Sequence, residues 1–190
     1  KRQLLLQPYF QTVTVQPSPV PGRPELVDLN YDVKEVSAGA FNVNLQYSDL
    51  SGFGYGAQVY EQNFNGTGKT VNVGFTNDDL TKNYSLSYTD PMYTLDGVSR
   101  TMSVNFTRTT PDKAGLTAYN MDQSGFTLGY GIPVTEKTRV SASLSYKYTV
   151  VKDYANKIAS PSVTQFMSEY PSPYNQLIAA LGWSYDSRDR

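Results

Sequence analysis

Seven or eight stretches of this chain alternate apolar with polar residues, and that pattern limits the fold more than anything else in it. Val71, Val73 and Phe75 interleave with Asn72, Gly74 and Thr76, and Val140, Ala142, Leu144 and Tyr146 interleave with Ser141, Ser143, Ser145 and Lys147. Side chains on a strand point to opposite faces with period two, so each stretch carries one greasy face and one wet face. In a soluble sandwich the greasy faces meet in a core. In a membrane barrel they face lipid, and the polar faces line an interior.

The connections help to choose between these folds. The pattern places strands near 40–48, 53–63, 69–77, 82–90, 99–109, 123–133, 138–150 and 176–187. Asn65-Gly66-Thr67-Gly68, Asp90 to Val98 and Pro133 to Lys137 are compact, whereas the links near 109–122 and 151–175 are much longer. The early links near 49–52 and 78–81 depart mildly from this alternation. Compact turns on one rim and long loops on the other suit an outer-membrane barrel, and a sandwich gives no reason for that parity. One register then puts Val71, Val73, Phe75, Leu86, Tyr88, Val104, Phe106, Leu128, Tyr130, Leu144 and Tyr146 outward, with their neighbours inward. In the longest link, Ser160 can cap a helix begun by Pro161. There Val163, Phe166, Met167 and Tyr170 fall at helical spacing before Pro171, which predicts a helix over 160–170 on the same side as the 109–122 loop.

Residues 1–36 read as a separate unit. Leu4 to Leu6 look like a helix end closed by Pro8, and Phe10 to Val15 look like a strand. Pro17, Pro19, Pro21, Gly22 and Pro24 look like a stiff connection, and Val27, Leu29, Tyr31 and Val33 alternate as a second strand. Helix, strand, turn and strand make the back half of a small α+β domain. The abrupt start and the stop just after a strand predict a segment of a larger protein.

Composition narrows function by exclusion. Mean hydropathy is −0.45, but half of every barrel strand is polar, so this average does not argue for a soluble fold. No run reaches the roughly 18 apolar residues of a spanning helix. Among 190 residues there are 16 Tyr, 8 Phe and 1 Trp, a Tyr-weighted share that suits a water–lipid boundary. A net charge of −1 leaves no footprint for nucleic acid. Cysteine and histidine are absent, which removes disulfides, thiol chemistry, imidazole ligands and a Ser-His-Asp triad.

The remaining motifs have simpler readings. Gly66-Thr67-Gly68-Lys69-Thr70 ends like a phosphate-binding loop, but Asn63 stands where the first glycine belongs and a strand follows. A hairpin turn accounts for it better. Gly54-Tyr55-Gly56 and Gly129-Tyr130-Gly131 interrupt strand patterns, where glycine relieves crowding. The sequons at Asn65, Asn83 and Asn105 fall in a turn and two strands, and Asp78-Asp79 and Asp186/Asp189 read as solvated loop charges. No catalytic, cofactor or metal site emerges.

Longer stretches carry a resemblance. Leu6-Gln7-Pro8-Tyr9-Phe10-Gln11-Thr12-Val13 and Pro21-Gly22-Arg23-Pro24-Glu25-Leu26-Val27-Asp28-Leu29-Asn30-Tyr31 come first. Asn63-Phe64-Asn65-Gly66-Thr67-Gly68, Thr89-Asp90-Pro91-Met92-Tyr93 and Gly182-Trp183-Ser184-Tyr185-Asp186-Ser187-Arg188-Asp189-Arg190 follow. In this order they resemble the end of the last POTRA domain and the first half of the barrel in the BamA family of outer-membrane assembly factors. The resemblance implies a mainly β chain: the C-terminal part of a periplasmic α+β POTRA domain over 1–36, then about eight strands of an antiparallel transmembrane β-barrel meander over 37–190. It implies a non-enzymatic role, without cofactors, in folding and inserting β-barrel proteins into the bacterial outer membrane. Its partners would be nascent barrel proteins, the lipid bilayer and, through the POTRA region, outer-membrane lipoproteins. The client-binding element would be the backbone edge of the first barrel strand, Phe41, Asn42, Val43, Asn44, Leu45, Gln46 and Tyr47. A POTRA-bearing two-partner secretion-type pore, a small structural or adhesive barrel, and a soluble sandwich remain as alternatives.

Overall fold

The structure, a computed structural model, describes residues 10–36, 39–111, 119–152 and 161–187. The suggested helix end at Leu4 to Leu6, the capping residue Ser160 and Asp189 lie outside the described residues.

β1 (Phe10–Val20) and β2 (Arg23–Glu35) form a two-stranded antiparallel sheet. The turn between them is tight, with Gly22 at φ +78°, a conformation that glycine adopts without a Cβ penalty. The sequence suggested that the first strand ends at Val15 and that the prolines form the connection. Instead β1 continues through Pro17 and Pro19, which pair with Leu29 and Val27. Residues two apart direct their N–H groups toward the same edge. In a two-stranded ribbon one such edge has no neighbour, so prolines at alternate positions remove no ladder bond.

Eight further strands form one sheet in chain order: β3 (Gly39–Ser48), β4 (Gly52–Glu61), β5 (Thr70–Asn77), β6 (Thr81–Asp90), β7 (Ser99–Thr109), β8 (Asn120–Pro133), β9 (Thr138–Lys152) and β10 (Tyr174–Tyr185). Every pairing is antiparallel and joins neighbours in sequence. All eight expected strands are present, with shifted limits. β4 closes at Glu61 because the following residues fold into a turn around Phe64–Gly66, and β10 sits two residues earlier than the alternation suggested.

An up-and-down meander sorts its connections onto two rims. The near rim, where the chain enters β3, carries the 62–69, 91–98 and 134–137 links; the far rim carries 49–51, 78–80, 110–119 and 153–173. The expected alternation of compact and long links therefore holds only from β7 onward, because the first two far-rim links are three-residue turns.

The pairing fixes which side chains share a face. Phe41, Val59, Val73, Leu86, Val104, Phe126, Tyr146 and Leu177 lie opposite one another in an unbroken row across all eight strands. Beside it, Asn42, Gln58, Gly74, Ser85, Asn105, Gly125, Lys147 and Gln176 form the matching row on the other face. The outward set read from the sequence falls entirely on the first face. Nothing in the described structure covers it: Phe41 is 69% exposed, Leu181 86% and Trp183 71%. Among the described residues the buried hydrophobics are Val13 and Val151 alone. A soluble sandwich needs a core between two sheets, and this sheet has none.

α1 (Pro161–Glu169) forms where the helical spacing placed it. Phe166 and Met167 line a cleft of about 220 Å³ with Tyr119, Met121, Val151 and Tyr174. Met121, Val151 and Tyr174 belong to the polar-face register, so the helix covers the far end of that face. Ser172 fastens the same region: its hydroxyl accepts from Val151 N–H at 2.8 Å and donates to Val151 C=O at 3.1 Å. The helix and the 110–119 link thus share the far rim, as expected.

Candidate functional site

The β3 edge, the candidate site, is built from a short strand on a light partner. Phe41, Val43, Leu45 and Tyr47 stand on the apolar face, and Asn42, Asn44 and Gln46 on the polar face. Their β4 partners include Gly54, Gly56 and Ala57, opposite Gln46, Asn44 and Val43. A Cβ at Gly56 would stand 2.6 Å from Asn44 Oδ1 and 2.7 Å from the Phe75 carbonyl oxygen. The glycine lets the β3 and β5 neighbours approach β4 closely, as the strand-interior glycines suggested. On its other side β3 has no partner strand among the described residues. Its four apolar side chains are 62–75% exposed. The seven residues named from the sequence thus lie on one end strand of the sheet; β10 is the other end strand, and it too has a single partner strand among the described residues.

The rest of the sheet is a wall with two chemistries. Cross-strand hydrogen bonds lace the polar face: Gln58 Nε2 donates to Asn72 Oδ1 at 2.8 Å, Thr107 Oγ1 donates to Asn83 Oδ1 at 2.9 Å, and the Thr127 and Ser145 hydroxyls lie 2.8 Å apart. Asn83, one of the sequon matches, is therefore part of this lacing. On the apolar face, Tyr47, Tyr55, Tyr84 and Tyr148 gather toward the far ends of their strands, and Tyr130, Trp183 and Tyr185 toward the near ends. Aliphatic residues such as Val73, Leu86 and Val104 lie between. Amphipathic rings favour the two water–lipid boundaries and aliphatic chains the hydrocarbon.

Charges on this face keep to its ends. At the near rim Lys69 Nζ lies 3.7 Å from Asp90 Oδ2, and Arg100 stacks 4.0 Å from the centre of the Tyr93 ring. The Tyr88 hydroxyl first, and then Asp90, hold the Lys69 ammonium above its ordinary pKa. The phosphate-loop lookalike is a turn that uses its own donors. Asn63 Oδ1 accepts from Gly68 N–H at 2.7 Å, Asn63 C=O from Gly66 N–H at 2.9 Å, and Lys69 C=O from Phe64 N–H at 2.9 Å. Asp78 also serves its own turn, accepting from Leu80 and Thr81 N–H at 2.9 and 2.7 Å.

A single antiparallel meander with an uncovered apolar face, boundary aromatics and a hydroxyl- and amide-lined reverse face is the wall of a transmembrane β-barrel. The Omp85 superfamily domain matches residues 63–190, and the chain belongs to that superfamily of the outer membrane. It is 32% identical over 187 residues to the outer membrane protein assembly factor BamA of Neisseria meningitidis serogroup B (strain ATCC BAA-335 / MC58). That alignment covers 97% of this chain and 23% of the relative, so the chain spans about a quarter of that protein's length. The crystal structure of BamA from Haemophilus ducreyi lacking POTRA domains 1–3 shares the fold, with a TM-score of 0.75 and 23% identity. That match covers 100% of this chain and 38% of the other.

Proposed function

We propose that this chain is the POTRA-to-barrel segment of a factor that folds and inserts β-barrel proteins into the outer membrane, working without catalysis. On this reading β1 and β2 end a POTRA domain in the periplasm, residues 37–190 begin the barrel, and β3 is the edge on which a client strand pairs. The near rim is then periplasmic and the far rim extracellular. Nascent barrel proteins are the clients, and lipoproteins of the assembly complex dock through the POTRA region.

The observation that carries the proposal is the similarity to BamA over nearly the whole chain, with β3 as the first strand of the meander and at one end of its sheet. A strand edge presents N–H and C=O groups at the spacing of an incoming strand, and hydrogen bonds form without regard to client side chains. In hydrocarbon those groups have no water to satisfy them, so an unpaired edge is costly and pairing is driven. Side-chain-independent pairing suits a factor that handles many sequences.

Paired cysteines test it. This segment contains no cysteine, so single substitutions at Asn42, Asn44 and Gln46 can be set against single cysteines along the terminal strand of a client arrested during assembly. Pairing on β3 predicts disulfides in one antiparallel register, stepping two residues back along the client for every two forward along β3. Crosslinks absent from all three positions, or scattered across registers, would contradict it. A secretion-type pore predicts instead that a translocating chain crosslinks to the polar face, at positions such as Ser85 and Asn105.

A further inference from the structure

The two ends of the apolar face differ in charge. At the near end, Lys69 and Arg100 stand against Glu61 and Asp90, a balanced set. At the far end, among the described residues, Lys82, Arg108 and Lys152 share this face with one carboxylate, Asp122, which Arg108 and Lys152 contact. Arg108 donates to Asp122 through Nε at 2.7 Å and Nη2 at 3.0 Å, and Lys152 Nζ donates to Oδ2 at 2.7 Å. Lys82 is the cross-strand partner of Arg108.

Asp122 acts here as an organiser. Its side chain is only 14% exposed, while those of Arg108 and Lys152 are 45% and 49% exposed. The carboxylate cancels one charge, gathers two cations, and leaves their outer surfaces open. The nearby Asp78 carboxylate is taken up by its own turn, and Asp79 lies against Gly52. Immediately below the cations the face turns apolar: Arg108 lies 5.8 Å from the centre of the Phe106 ring, and Phe106 meets Tyr84 at 6.3 Å.

We propose that Lys82, Arg108 and Lys152 form a docking site for the phosphate headgroup of an anionic lipid whose acyl chains lie along Tyr84 and Phe106. A free anion would use the cations but gain nothing from the apolar surface beneath them. A lipid presents both chemistries at this spacing, and cations near a membrane surface attract anionic headgroups. Such a lipid would hold this part of the sheet at a fixed depth. The inference needs the apolar face to meet lipid, but not the β3 edge to bind clients.

The test is native mass spectrometry of the intact protein in dodecyl maltoside micelles doped with equal amounts of dioleoyl phosphatidic acid and dioleoyl phosphatidylcholine. The wild type should retain phosphatidic acid preferentially. Lys82→Gln, Arg108→Gln, Lys152→Gln and Asp122→Asn together remove the cations without stranding the carboxylate, and should lower that preference by at least about fivefold. Lys69→Gln with Arg100→Gln, at the balanced rim, should leave it intact. Heat-modifiable gel mobility reports folding. If the fourfold variant misfolds, Lys82→Gln with Lys152→Gln keeps the Arg108–Asp122 pair and must still lower the preference. A folded variant with unchanged preference, an equal loss at the control rim, or displacement of the lipid by excess inorganic phosphate would overturn the proposal.

Discussion

At the scale of single residues, glycine does much of the local work. Gly56 has a neighbouring side chain and a backbone oxygen where a Cβ would stand, and the Phe75 carbonyl cannot swing aside as a flexible side chain can. Gly56→Ala should therefore cost about 1–3 kcal/mol, the usual range for added bulk in a packed site. Urea unfolding in liposomes would measure this, and an unchanged midpoint would show that the sheet yields more readily than its spacing implies. Gly66→Ala, at φ +71° with open space around the Cβ position, should instead show only a backbone penalty of about 1 kcal/mol. The Gly-Tyr-Gly motif was legible as a place where crowding is relieved. Which atoms crowd it was not, because β3 and β5 reach Gly56 through pairing that no local pattern specifies.

At the scale of elements, period two was enough to divide the strands into faces, since a slip of one residue would move every side chain to the other side. Leu86 and Ser87 test that division. Lysine at Leu86, in the middle of the apolar face, should cost about 2–4 kcal/mol, whereas lysine at Ser87 should cost little. Equal destabilisation of the liposome-embedded protein by both would mean that both faces meet the same medium. Two elements were less legible. The run of prolines looked like a connection because each proline lacks a donor, and only a two-stranded ribbon with a vacant side makes their spacing compatible with a strand. Helix α1 was readable from its spacing, but its seat on the polar face was not: an apolar stripe says that a helix packs, not on what. Phe166 lies 5.2 Å from Tyr170 and 6.0 Å from Tyr174, ring centre to ring centre. Phe166→Ala should loosen this cover and speed amide exchange at Val151, with exchange at Leu86 unchanged. No change at Val151 would show that Ser172 alone protects that strand end.

At the scale of the whole sheet, the structure is a wall with lipid-side and interior chemistries, with β3 and β10 as its end strands. The wall follows from the sequence pattern, because the period-two alternation and the Tyr-weighted aromatic share agree. The edge does not, since Phe41, Val43, Leu45 and Tyr47 alternate with Asn42, Asn44 and Gln46 as any strand would. Its role lives in the backbone, which composition and periodicity do not describe. A proline scan across residues 42–46 of the intact protein addresses that backbone directly, because proline removes a donor and fixes φ. N–H groups on successive residues point to opposite sides of the strand, so prolines of one parity break the β3–β4 ladder and those of the other parity touch only the side away from β4. Client assembly and folding of the protein's own barrel are measured for each variant. The account predicts alternation: at one parity both fail, and at the other, assembly fails while the barrel still folds. If every proline that blocks assembly also unfolds the barrel, β3 is an ordinary structural strand and the edge is not the working surface.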